Sequence, residues 1–306
     1  MKKKFILSVD LGGTNLKIGL LDSKYNFLFK QVLSTSLHCT KESLIKATVY
    51  AIENIIKFRS LKRQEIFGVG LGLPGPIDVE QGLVHFLPNI PGWREVRLRS
   101  ILEKKLKLAV ALDNDANLMC LAEYKLGAAK GSRNAVCLTL GTGVGGGIII
   151  DASLYRASTF AAGEIGHIPI NEEGPQCNCG GRACLEAYVG NNRIMAQVRK
   201  VFGHGMSLEE VSSLARKGNK KAIALWETVG KRLGIALVGV VNLLNPDCIV
   251  IGGGVANAGK VLFDKIKEVV KNQAMKIQAE HVKILKAKLG SDAGLIGAAI
   301  LAKEGI

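Results

Sequence analysis

Residues 5–22 read FILSVDLGGTNLKIGLLD. An apolar run meets Asp10, turns through Gly12, Gly13 and Thr14, and leaves as a second apolar run that ends in Asp22. Short apolar runs joined by a glycine turn predict a strand–turn–strand hairpin. Residues 136–151, VCLTLGTGVGGGIIID, repeat the pattern: strand, Gly141-Thr142-Gly143 turn, strand, terminal Asp151. The two hairpins, about 130 residues apart, point to an internal duplication. Each half is expected to open with a sheet and to offer a phosphate-sized turn to a shared cleft.

The chemistry of such turns is specific. Successive backbone N–H groups form an anion-binding nest, and missing side chains let phosphate oxygens approach. The Thr14 and Thr142 hydroxyls add donors, and Gly145 continues the second glycine run. Lys17 either supplies positive charge there or points to solvent. Neither turn has the Gly-Lys-Ser/Thr ending of a P-loop or the following helix of a dinucleotide fingerprint. A third cluster, Gly252-Gly253-Gly254, follows the apolar run CIVI and precedes a helix-like segment, VANAGKVLFDKIKEVV. Ahead of it, LWETVGKRLGIALVGVVNLL reads as a buried helix in which Gly230 and Gly234 serve close packing.

With 306 residues, 48% of them hydrophobic and 22% charged, the chain fits a soluble protein of two domains. The division is expected at 1–117 plus 291–306 and at 118–290. The start, MKKKFILSVDLGG, meets Asp10 too soon for a secretory core, and AVCLTLGTGVGGGIII is too glycine-rich for a membrane span. A cytoplasmic protein without a membrane partner follows, with its seven cysteines reduced or metal-bound. The net charge of +15 is spread widely and lacks interleaved aromatics. That favours a solvated basic face over nucleic-acid binding.

GEIGHIPINEEGPQCNCGGRACLE, residues 163–186, holds His167, Cys177, Cys179 and Cys184. Three cysteines this close, preceded by one histidine, make the ligand set of a closed structural zinc site. Gly180 and Gly181 would fold Cys184 back towards the other thiols. Zinc would thereby pin Glu164 and Glu186, whose carboxylates accept hydroxyl hydrogen bonds as polyol-binding groups do. Cysteines 39, 120, 137 and 248 lie singly in apolar surroundings and read as core.

Residues 113–117, DNDAN, follow the run LKLAVAL. They read either as the cap of a helix, which Asp and Asn both favour, or as a place of chemistry. One capping residue suffices, and here there are four candidates.

DLGGTNLKIGL, GLGLPGPIDVEQG, PNIPGW, LDNDAN, LGTGVGGG, AGEIGH, CNCGGRACLE and VIGGGV occur in the order and spacing of the ROK family, which the chain resembles over about residues 5 to 302. The resemblance implies an α/β fold of two actin-like ATPase (ribonuclease H-like) domains, with an interdomain cleft and a structural zinc loop. It implies an ATP-dependent hexose kinase that uses Mg²⁺, acts on the 6-hydroxyl of glucose, and assembles as a homodimer or homotetramer. Asp115 matches the catalytic base. Gly75, Asn89, Asn114, Glu164, His167 and Glu186 match sugar-binding positions, Asp115 also facing the sugar. Asp10, Gly12, Gly13, Thr14, Lys17, Gly141, Thr142, Gly143, Gly145, Gly253 and Gly254 match the nucleotide side. The zinc ligands fall on His167, Cys177, Cys179 and Cys184, with the second nitrogen of His167 turned to the sugar. Asp113 retains a capping or orienting role.

Two departures stand out. The segment Arg156-Ala157-Ser158-Thr159-Phe160 lacks the family's usual glycines, and Phe160 is expected to narrow the sugar site. Ala183 replaces a usual glycine, which matters only at positive φ. N-acetylmannosamine and N-acetylglucosamine are the alternative substrates. A sugar-responsive regulator is the other class, but its DNA-binding segment needs on the order of 60 residues ahead of the first hairpin, and Asp10 is the tenth residue.

Overall fold

The computed structural model describes residues 2–35, 40–87, 90 and 92–305. They form two compact units. Unit 1 comprises Met1–Ala122, Leu154–Ala162 and Ser291–Ile306; unit 2 comprises Glu123–Ser153 and Gly163–Gly290. The division drawn from the sequence ended the first portion at 117 and left 154–162 in the second.

In chain order unit 1 contains β1 (Phe5–Leu11), β2 (Asn15–Asp22), β3 (Phe27–Ser34), α1 (Lys41–Phe58) and β4 (Ile66–Leu73). A small sheet of β5 (Ile77–Asp78), β6 (Leu83–Phe86) and β7 (Arg94–Val96) follows, then α2 (Leu98–Leu106) and β8 (Val110–Asn114). Helix α3 (Asp115–Leu126) begins directly at the end of β8. The main sheet runs β3-β2-β1-β4-β8, with β1 to β3 antiparallel and β4 and β8 parallel to β1.

Helix α1 starts where Thr40 and Ser43 cap each other's backbone N–H groups. Leu44, Ile45, Thr48, Ile52, Ile55 and Ile56 then recur at helical spacing and are buried.

Unit 2 contains β9 (Ala135–Leu140), β10 (Val144–Ile150) and β11 (Ser153–Tyr155), the unit boundary falling inside β11. Then come α4 (Glu186–Val189), α5 (Asn191–Phe202), α6 (Leu208–Arg216), α7 (Lys220–Leu244), β12 (Cys248–Gly252), α8 (Lys260–Gln273), α9 (Lys276–His281) and β13 (Lys283–Lys286). Its sheet runs β11-β10-β9-β12-β13, again an antiparallel hairpin followed by parallel strands. The duplication inferred from the two glycine turns is therefore a duplication of sheet order.

Helix α7 packs on α8 through its glycines. A Cβ at Gly234 would lie 2.6 Å from Val269, and one at Gly230 would lie 2.9 Å from the Leu262 carbonyl oxygen. The helix expected after Gly254 is broken at Gly259 (φ 79°), with a 3-10 turn, Gly254–Ala258, before α8.

The final helix, α10 (Ala293–Glu304), belongs to unit 1 and presses on its sheet. Alternate residues 68, 70 and 72 of β4 are all glycine. A Cβ at Gly70 would lie 1.8 Å from the Ala298 carbonyl oxygen, so only glycine lets α10 approach this closely.

Candidate active site and metal centre

The carboxyl ends of β1 and β8 bring Asp10 and Asp113 of unit 1 into one line across β4. Asp10 pairs in register with Gly72, and Gly72 with Asp113. A Cβ at Gly72 would stand 3.8 Å from Asp10 Oδ1 and 3.7 Å from the Cα of Asp115, so these two aspartates flank the glycine. Lys17 Nζ donates to Asp10 Oδ2 at 3.1 Å and to the Ser291 carbonyl at 2.9 Å. Its charge is thus directed at Asp10. Gly294, in the first turn of α10, leaves room for that carboxylate, since a Cβ there would approach it to 2.7 Å.

DNDAN divides its labour. Asn114 is the cap of α3: its Oδ1 accepts from the N–H groups of Ala116 (2.9 Å) and Asn117 (3.3 Å), and its Nδ2 donates to the Gly75 carbonyl (3.2 Å). Asp115 occupies the first helical position, where the helix dipole favours a charged carboxylate, and its Oδ1 accepts from the Ala116 N–H at 2.8 Å. Asp113 is not a cap. Its side chain is 1% exposed; Oδ1 accepts from the Asn114 N–H (2.7 Å) and Asn117 Nδ2 (2.9 Å). Its Oδ2 takes both Nε (2.8 Å) and a terminal nitrogen (2.7 Å) of Arg156. The segment that departs from the family pattern is therefore tied to the DNDAN loop. Ala157 (φ 56°) and Phe160 (φ 58°) stand in the left-handed region that glycine occupies without strain.

In unit 2 the second hairpin is the spine of another cluster. Glu186, at the start of α4, accepts from the Val144 N–H through Oε2 at 2.8 Å. A Cβ at Gly143 would lie 2.4 Å from the same oxygen. The AGEIGH segment packs on β10 through Gly163 (φ 95°) and Gly166, whose added Cβ atoms would lie 2.6 Å and 2.2 Å from the carbonyl oxygens of Gly146 and Val144. Glu186 is thus bonded to this hairpin directly, and Glu164 is carried by a segment packed on it. Gly253 (φ 84°) packs against Leu140, whereas among the described residues a Cβ at Gly141 or Gly254 would meet nothing within 4 Å. These last two glycines are not required by packing.

His167, Cys177, Cys179 and Cys184 gather so that their ligand atoms lie within 4.8 Å of one another. His167 Nδ1 is 3.7 Å from Cys177 Sγ, and the Sγ atoms of Cys179 and Cys184 are 3.7 Å apart. Zinc–sulfur bonds of about 2.3 Å at tetrahedral angles set sulfurs roughly 3.8 Å apart, so the donor set and its spacing fit zinc. Burial pushes the Cys184 thiol up to about 12, while the Gly181 N–H lowers that of Cys179. His167 Nε2 faces the other way, 3.8 Å from Glu164 Oε2. Ala183 has φ 56°, so the departure from glycine falls where glycine would be relaxed.

Asn89 and Cys39 lie outside the described residues; Cys120, Cys137 and Cys248 are buried core. Two polar residues escaped the sequence. Arg156 gave no signal beyond its basic charge. Glu123, fully buried, accepts from the N–H groups of Ala128, Lys288 and Leu289 at 2.7–2.9 Å. Its only trace was a carboxylate among the apolar residues of α3. Among the described residues no helix is long and apolar enough to cross a membrane.

The chain matches the model of the ROK family over residues 6–305. It is 34% identical to a glucokinase of Thermotoga maritima, over 100% of this chain and 99% of that one. A ROK family glucokinase of Streptomyces griseus, solved in complex with glucose and AMPPNP, superposes with a TM-score of 0.82 at 30% identity, covering 98% of this chain and 100% of that one. A xylose repressor of Caldicellulosiruptor bescii is 30% identical over 95% of this chain and 76% of its own length.

Proposed function

The chain belongs to the ROK family, and on that premise we propose that it is an ATP-dependent hexose kinase acting on the 6-hydroxyl of glucose. The observation that carries the reading is the placement of Asp115. It is the first residue of α3, directly after the capping Asn114, and lies with Asp10 beside Gly72.

In this reading the O6 proton passes to Asp115 as O6 bonds to the γ-phosphorus and the bond to the bridging oxygen of ADP breaks. Positioning and charge neutralisation supply most of the rate. A positioned carboxylate base adds ~10²–10⁴-fold. The second N–H of the Asn114 amide, Glu164, Glu186, Gly75 and Asn89 hold sugar hydroxyls. His167 binds metal through Nδ1 and donates from Nε2, as ligating histidines usually do. Gly12 to Thr14, Lys17, Gly141 to Gly145, Gly253 and Gly254 serve the nucleotide. The open space beside Gly141 and Gly254 supports this assignment.

Zinc on the Cys3His set fixes the loop and takes no part in the reaction. Mg²⁺ bound with ATP supplies charge neutralisation, and Asp10 is the hard oxygen ligand suited to it. The enzyme would work in the cytoplasm, where ATP is abundant, as a homodimer or homotetramer.

The test is a coupled ADP-release assay with glucose, N-acetylglucosamine and N-acetylmannosamine at matched sub-saturating concentrations. Glucose is expected to give the highest kcat/KM, with Phe160 restricting space beside the 2-position. Preference for an acetamido sugar would move the substrate; no ADP release with any sugar would remove the kinase reading.

A further inference from the structure

We propose that Arg156 is a positioning residue for phosphoryl transfer: seated on Asp113, its guanidinium fixes the chain at Asn114–Asp115. The inference rests on the hexose kinase reading. Asp113 lies in the core at the end of β8, where an unpaired carboxylate would be strongly disfavoured. Arg156 supplies the opposite charge through two N–H groups on Oδ2, and its own side chain is only 14% exposed. Oδ1 is thereby left to the Asn114 N–H and the Asn117 amide.

These contacts lead directly to the site. The Asn114 backbone is held from Asp113, and the Asn114 side chain caps α3 over the N–H groups that follow Asp115. Asp115 lies between the two anchored residues, Asn114 and Asn117. Arg156 therefore acts on the base through Asp113, two residues before it.

The segment carrying Arg156 shows what it must hold. Ala157 and Phe160 both adopt positive φ, and the Ala162 N–H closes the segment onto the Arg156 carbonyl at 3.2 Å. Strained backbone persists where its surroundings over-determine it. The doubly bonded guanidinium is such a restraint, and lysine, a point charge without the fork, cannot reproduce it.

The experiment compares Arg156→Met, Arg156→Lys and the pair Asp113→Asn/Arg156→Met with the parent chain. Melting temperature, kcat and KM for glucose, and crystal structures are recorded for each. Arg156→Met is expected to lower kcat by ~10–100-fold, the scale of a misplacement near 1 Å. Arg156→Lys should recover only part of this. Millimolar guanidinium ion should restore activity to Arg156→Met but not to Asp115→Asn. The crystal structure of Arg156→Met should show Asn114 and Asp115 displaced.

A lowered melting temperature with unchanged kcat in the folded range would overturn the proposal, as would an unmoved Asp115. If Arg156→Met does not fold, the double variant, which buries no unpaired charge, carries the same readouts. Should the parent chain phosphorylate no hexose, the kinase reading fails. The position of Asp115 in the variant structures then decides the Arg156 tether alone.

Discussion

The two glycine hairpins share a topology and differ in what they are built against. The first, between β1 and β2, turns through Gly12 to Thr14 with an internal bond from the Gly12 N–H to the Asn15 carbonyl at 2.8 Å. Among the described residues a Cβ on Gly12 would meet only that carbonyl, at an ordinary 3.5 Å. Its charge chemistry lies one step back, where Lys17 pairs with Asp10. The second, between β9 and β10, turns through Gly141 to Gly143 with Glu186 bonded to its Val144 N–H. A Cβ on Gly143 would run into that carboxylate. Duplication conserved the sheet while the two turns took on different partners. In unit 1 the strand ends carry the aspartates. In unit 2 the hairpin is bonded to Glu186, two residues after the last cysteine of the Cys3His cluster.

If unit 2 depends on its loop, removing the metal should have the largest effect. Cys179→Ala is expected to lose both bound zinc and nearly all activity, because Glu164 and Glu186 lose their common anchor. Elemental analysis alongside the kinase assay checks this; an active protein without zinc would break the contrast between the units.

The glycines provide a sharper comparison. Gly143→Ala should weaken glucose binding by ~10-fold or more, since Glu186 must move, whereas Gly12→Ala should raise the KM for ATP and leave glucose binding within about 3-fold. Equal losses of glucose binding in the two variants would break the contrast between the turns.

The hairpins were legible because glycine and alternating apolar residues signal them locally, and the Cys3His spacing marked the four side chains that gather in unit 2. DNDAN was legible only as a crowd of polar groups. Which residue caps and which is buried depended on Arg156, 43 positions away, and no local pattern encodes a partner at that separation. Glu123 was hidden for the same reason, its three N–H partners coming from residues 128, 288 and 289. The φ values of Ala157, Phe160 and Ala183 could not be read from residues that ordinarily avoid them.

A smaller effect is expected away from both sites, at the half-buried Asp247 of unit 2. Asp247 accepts from the N–H groups of Asn134 and Arg133 and from His281 Nε2. The Asn134 N–H first, and then His281, hold its carboxyl below the ordinary range. A carboxyl whose folded pKa is depressed stabilises the fold above its unfolded value, and this is lost as pH falls through the folded one. Asp247→Asn should therefore lower the melting temperature by a few degrees at pH 7. The gap should close as pH drops below about 4, the unfolded carboxyl range. A gap that stays constant with pH would assign the loss to packing instead.

Asp115 is the residue on which phosphoryl transfer depends most directly in the kinase reading. Asp115→Asn keeps the shape and hydrogen-bonding capacity of the side chain but cannot take the hydroxyl proton. Measured with glucose, ATP and Mg²⁺, its kcat should fall by ~10²-fold or more while the glucose dissociation constant changes little. Near-normal kcat in Asp115→Asn would contradict the assignment of the base.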